Sequence, residues 1–136
     1  LYRDGDGVLK NDKTAAIWYT LAAKQGNVVA QYNLGVMYDE GQGVPKDYKT
    51  AVKWWKLAAE QGNSSAQNNL GVMYAFGTGV LRDYVYAYMW GHIAISNGNE
   101  GGAKVRDFST EKMNPSQLEK AQDLARECVR KKYKGC

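Results

Sequence analysis

One register runs from Tyr2 to Asn99. Gly26-Asn27, Gly62-Asn63 and Gly98-Asn99 follow one another at steps of 36 residues. The same step links Tyr2, Tyr38 and Tyr74, then Gly5, Gly41 and Gly77, then Gly7, Gly43 and Gly79, then Val8, Val44 and Val80. It continues through Ala15, Ala51 and Ala87, through Trp18, Trp54 and Trp90, and through Ala22, Ala58 and Ala94. A constant period of this size requires a row of similar units, because one such unit is too small to enclose a core and each must bury a face against its neighbour.

Each unit holds two helical stretches. The second spans Asp12–Gln25, Asp47–Gln61 and Asp83–Asn97, with Asn11, Asp47 and Asp83 in one column at its start, where a side-chain oxygen accepts the free amides of a first turn. In the middle copy Asp47, Ala51, Trp54, Trp55, Ala58 and Gly62 share one helical face. Rings beside small residues let helices approach closely while the rings fill the gaps, so the Trp column is read as core rather than as an exposed aromatic cage for a ligand. The glycine pairs mark sharp turns between helices, including one in the loop expected at Leu1–Leu9. They lack the Lys-Ser/Thr of a phosphate loop and follow a helix, which argues against nucleotide binding.

The first helix of each complete unit, Ala30–Asp39 and Ala66–Ala75, has two sides. Ala30, Leu34, Met37, Tyr38 and Gly41 cluster on the repeated side. Tyr32, Val36, Asp39 and Glu40 point the other way, as do Asn68, Val72, Ala75 and Phe76 in the next copy. Val36 and Val72 are apolar on the side that stacking does not need. In a helix-pair solenoid that side lines a concave surface suited to an extended peptide or a partner helix. These eight residues are the candidate groove; the competing reading is that Tyr32 and Phe76 only cover gaps between helices.

The run Ala30, Leu34, Gly35, Tyr38, Gly41, Gly43, Val44, Asp47, Ala51, Trp54, Ala58, Ala59, Gly62 and Asn63 resembles the Sel1-like repeat, a relative of the tetratricopeptide repeat. The next copy matches from Ala66 to Asn99 and departs at Ile93 and Ile95. The resemblance implies antiparallel helix pairs stacked in a right-handed superhelix, acting as an adaptor or scaffold between proteins without a shared catalytic activity. It places repeats at 1–29 (partial), 30–65 and 66–101, followed by a C-terminal cap at 102–136.

In that tail Gly102, Ala103 and Arg106 replace Ala66, Gln67 and Leu70, and the repeat fails. A short helix is expected at Ala103–Lys112. A second, from about 115 to 132, is announced by Asn114-Pro115-Ser116-Gln117, an N-cap, a first-turn proline and a capping-box glutamine. Its apolar face is read as Leu118, Ala121, Ala125 and Val129. A solenoid needs a polar-backed closing unit; a membrane-surface amphipathic helix is the rival. The net charge of +4 gathers here, at Arg126, Arg130, Lys131, Lys132 and Lys134. It reads either as a patch for an acidic partner or as a solvated face near a helix C-terminus, the latter preferred.

Cys128 and Cys136 are separated by a spacing compatible with a disulfide. Some bacterial Sel1-like proteins carry a pair at the same interval, so the resemblance implies a candidate bridge. If formed, it favours an extracytoplasmic setting, periplasmic or secreted; free thiols in the cytoplasm are the alternative. The chain starts at Leu1 inside a unit lacking its first half, so a longer precursor is expected upstream.

The chain is thus expected to be an all-α solenoid with a C-terminal capping helix. It should work as a noncatalytic module for a protein or peptide partner, without cofactor, metal, nucleic acid or membrane insertion, and as a monomer. A hydrolase centred on His92 and a purely structural spacer are the contrasting readings. The only histidine, His92, is expected to face outward without a nucleophile in fixed relation to it.

Overall fold

The computed structural model describes residues 8–136. Among them are seven α-helices and no strand: α1 Val8–Lys24, α2 Val28–Glu40, α3 Tyr48–Glu60, α4 Ser64–Phe76, α5 Tyr84–Ser96, α6 Gly102–Glu111 and α7 Pro115–Arg130. From α1 to α6 each helix packs against the next in the chain, while α5 also carries α7 and α4 also meets α6. The architecture is an all-α stack of helix pairs, and no helix among the described residues is long and apolar enough to cross a membrane.

Repeated side chains start these helices. Asn27 and Asn63 accept the amides of Ala30 and Ala66, both at 2.8 Å, and so cap α2 and α4. Asp47 caps α3 through Thr50, and Asp83 caps α5 through Val85 and Tyr86. Such oxygens satisfy amides that have no partner within the first turn. Asn11 departs from this expectation, because α1 already begins at Val8 and Asn11 lies within it. The amides of Asp47 and Asp83 bond back to the carbonyls of Tyr38 and Tyr74, which draws those segments out of helix. The corresponding residue before α1 is Tyr2, outside the described residues, as are Gly5, Gly7 and most of the expected first loop.

The second glycine of each pair serves contact as well as turning. At Gly43 (φ 73°) an added Cβ would lie 2.3 Å from the carbonyl oxygen of Asp12, and at Gly79 (φ 74°) 2.6 Å from that of Tyr48. Each loop therefore rests directly on the second helix of the preceding unit, where no side chain fits.

The core is the repeated alanine face filled by rings. Trp54, 7% exposed, is clustered with Ala23, Ala30 and Leu34; Trp90 is 1% exposed and sits among Ala66, Leu70 and Met89. Trp18 breaks the pattern at 66% exposed. Its counterparts are covered by the first helix of their own unit, Ala30 and Leu34 of α2 for Trp54 and Ala66 and Leu70 of α4 for Trp90; no described residue occupies that place for α1, and Trp18 faces outward with Ile17 and Leu21.

A polar ladder with the same period binds successive units. Buried Gln31 donates to the Ala23 carbonyl, and buried Gln67 donates to that of Ala59. Gln61 then donates to Gln31 Oε1 at 2.8 Å, and Asn97 to Gln67 Oε1 at 3.0 Å. Buried amides need such partners; here the carbonyls of Ala23 and Ala59 come from the preceding unit, and the amides of Gln61 and Asn97 from the second helix of the same unit.

The tail closes the stack on two sides. Asn114 and Gln117 form the reciprocal capping box at the start of α7. This helix buries Ala121, Ala125 and Cys128, the last two in one cluster with Met89 and Ile93 of α5, whereas Val129, expected inside, is 45% exposed. The face is turned so that the cysteine, rather than the valine, enters the core.

Candidate functional site

The free side of the first helices forms a groove in two joined sections. Tyr32, Val36, Asp39 and Glu40 from α2 face Asn69, Val72 and Met73 from α4 around a pocket of about 330 Å³ with Trp55 of α3 at its base. Val72 also belongs to a second pocket of about 270 Å³, formed with Ala75 and Phe76 of α4 and Lys104, Val105 and Phe108 of α6. Val72 is therefore the ridge shared by both.

The column containing Trp55 explains the difference between the sections. In the middle unit the Trp55 ring lies over Gly35, where an added Cβ would meet Nε1 at 2.3 Å, and Nε1 donates to the Tyr32 carbonyl at 3.1 Å. One period later the position is Gly91. There an added Cβ would meet the Gly102 oxygen at 2.9 Å, so losing the ring admits the backbone of α6. Helix α6 in turn supplies Val105 and Phe108 to the second pocket.

The two sections differ chemically. Asp39 and Glu40 occupy the last turn of α2, at the negative end of the helix dipole, where carboxylates are disfavoured. No ion pair reaches either among the described residues. Ala75 and Phe76 stand in the same columns of α4; Ala75 is buried and Phe76 is 63% exposed. The Phe76 and Phe108 rings are stacked with centroids 5.2 Å apart, and Tyr84 meets Phe108 edge-on at 6.2 Å.

Of the eight groove residues read from the sequence, seven line one or both pockets. Asn68 lies instead beside Gly101 at the approach to α6, with a buried Oδ1 that has no hydrogen-bond partner. Trp55, Asn69, Met73, Lys104, Val105 and Phe108 are added by the structure. Trp55 and Met73 were hidden because they also serve the core. The residues from α6 were hidden because the cap has no register with the repeat.

His92 is half-buried rather than fully outward. Its ring lies parallel to that of Tyr88 at 6.0 Å, its Nδ1 is buried without a hydrogen-bond partner, and burial followed by the nearby Arg106 cation holds its pKa below the ordinary value. The expected outward position fails because α6, which carries Arg106, packs against α5. No hydrogen bond links His92 to a serine or carboxylate among the described residues, so no acid–base pair is assembled on it.

In the tail, Arg126 pairs with Asp123 and Arg130 with Glu127, leaving Lys131, Lys132 and Lys134 as exposed cations. Cys128 and Cys136 are joined in a disulfide with Cα atoms 5.8 Å apart. The enclosed loop reaches back to the stack: Tyr133 donates its hydroxyl to Asn97 Oδ1 at 3.0 Å, and the Gly135 amide donates to Glu60.

Comparison with known proteins agrees with this geometry. The family described as Sel1 repeat matches residues 1–27, 28–63 and 64–99. The chain is 37% identical, with a TM-score of 0.84 over 89% of its length, to a protective antigen present in uropathogenic Escherichia coli strains that displays an SLR fold. It is 43% identical, with a TM-score of 0.63 over 65% of its length, to a Sel1 repeat protein from Oxalobacter formigenes. It spans 27% and 26% of those chains. No curated protein matches it in sequence. With three matched copies covering most of its residues, the chain belongs to the Sel1 repeat family.

Proposed function

We propose that this chain is a noncatalytic protein–protein interaction module that holds a peptide or protein segment in the concave groove beside Val36 and Val72. The observation that carries this reading is a continuous recess in which the repeated Val36 and Val72 stand beside side chains that differ between units, Asp39 and Glu40 in one and Ala75 and Phe76 in the next. An apolar floor with polar and charged edges is the usual make-up of a surface that exchanges water for a partner. The family's general role as an interaction scaffold points the same way.

The Cys128–Cys136 bridge supports an extracytoplasmic setting, because structural disulfides persist where the surroundings are oxidising. The description of the Escherichia coli relative as a protective antigen is consistent with that location.

Photo-crosslinking from position 36, followed by recovery of the adduct, tests the groove. Val36→Glu/Val72→Glu should retain the helical signal and lose the adduct. Equal recovery from wild type and variant would reject the groove as the binding surface.

A further inference from the structure

We propose that the groove selects a segment of divided character: a lysine or arginine against Asp39 and Glu40, and a bulky apolar side chain against Phe76 and Phe108. This deepens, and rests on, the reading of the groove as a binding surface. Three features of the molecule support it.

The first is adjacency. Val72 borders both pockets, so one occupant crossing it meets both environments in turn. The second is charge. Asp39 and Glu40 lie side by side at a helix end whose own dipole repels them, with no ion pair among the described residues. Two neighbouring carboxylates in that position weaken the free protein and favour a cation brought from outside. The third is the exchange of these residues for Ala75 and Phe76 one period later. That exchange turns the acidic end of one section into the apolar wall of the next.

Phe76 is largely exposed yet held by its stack on Phe108, which is itself steadied by Tyr84 and by Lys112 over the ring at 5.3 Å. A fixed aromatic wall loses little freedom on binding, the usual property of a surface that anchors a partner. Lys104 is the one charged residue lining this pocket. It opposes a second cation there, so the charged end of the occupant is directed to the α2 side.

Fluorescein-labelled peptides carrying Lys-Lys and Leu-Phe, joined by glycine–serine spacers of increasing length and made in both chain directions, test the proposal by fluorescence polarisation with the full chain. At least one should bind, and replacing Lys-Lys by Glu-Glu should weaken it by about ten-fold or more at low salt. Asp39→Lys/Glu40→Lys should transfer the preference to the Glu-Glu peptide without lowering Tm, and Phe76→Ser should weaken both peptides. The proposal is overturned if no peptide binds, if Lys-Lys and Glu-Glu peptides bind alike, or if the charge reversal leaves the preference unchanged. Self-association that fills the groove with a second copy, seen by sedimentation, would also overturn it. Loss of the crosslinked adduct in Val36→Glu/Val72→Glu together with charge-indifferent peptide binding would preserve the groove and reject only its selectivity.

Discussion

The indole of Trp55 donates to the Tyr32 carbonyl at 3.1 Å across Gly35, and this contact joins α3 to α2 beneath the groove. It can form only because position 35 has no side chain. Gly35→Ala would place a carbon 2.3 Å from Nε1, displacing the ring from the pocket base. We expect a stability loss of about 1–3 kcal/mol, the usual cost of an overpacked core, together with a shift in tryptophan emission. Chemical unfolding of Gly35→Ala, Trp55→Leu and the double variant measures it. The alanine should cost much less once the ring is removed, and independent effects would contradict the contact.

The polar ladder makes a second prediction. Gln67 Nε2 serves the Ala59 carbonyl, and its Oε1 accepts from Asn97. Gln67→Leu keeps the bulk but removes both hydrogen bonds, the Ala59 carbonyl keeping only its bond from the Gly62 amide, at a cost of about 1–3 kcal/mol for two bonds of ordinary net worth. Gln122→Leu, at an exposed site on α7, serves as the control and should change the unfolding midpoint little. Equal midpoints for the two variants would mean that the ladder does not join the units.

These contacts show where the sequence was readable. The paired helices α2/α3 and α4/α5 were legible because each repeated column answers to a contact made again in the next unit: Asn63 caps, Trp54 fills, Gly79 turns. Gln31 and Gln67 were equally periodic, but a buried amide looks like a surface residue until its partners are known. Trp18 obeys the period and yet faces outward, since a column records what a neighbour would cover and not whether it is there. The change from Trp55 to Gly91 is one letter in a repeat. Its consequence, the entry of α6 and the shaping of the second pocket, depends on a helix outside the register. For the same reason seven groove positions could be read from the free side of two helices, while Lys104, Val105 and Phe108 could not. Asn68 shares a helix with Val72, but at the end where Gly101 covers it.

The disulfide should matter more than the size of its loop suggests. It fixes the segment through which Tyr133 reaches Asn97 and Gly135 reaches Glu60. Closing so short a loop restricts the unfolded chain enough to contribute about 2–3 kcal/mol. Cys128→Ser/Cys136→Ser should therefore lower the unfolding midpoint and increase hydrogen exchange at the carboxyl end of α7 and in the loop after it. Tyr133→Phe, which leaves the bridge intact, should do less. Mass spectrometry of unreduced protein checks the premise: alkylation of both thiols without prior reduction would remove the bridge and the argument for an oxidising compartment.

His92 makes the stability depend on pH. The unfolded chain takes up a proton at this ring near its ordinary value of 6.5. The folded chain does so only at lower pH, because burial and then the Arg106 cation oppose the charged form. In that interval the unfolded state binds more protons, so stability is fully present above about pH 7 and declines as the pH falls toward about 5. Asp47 and Glu127 also have lowered pKa values, through bonds from Thr50 and Arg130. Their contribution is lost only in the more acidic carboxylate range, so it leaves this window to the histidine. The urea midpoint of wild type should fall between about pH 7.5 and about pH 5, and His92→Phe should flatten the fall while preserving the stack on Tyr88. Arg106→Gln should flatten it in part, since the larger opposition comes from burial. An unchanged slope in His92→Phe would assign the pH dependence to another group and leave the buried Nδ1 without a thermodynamic effect.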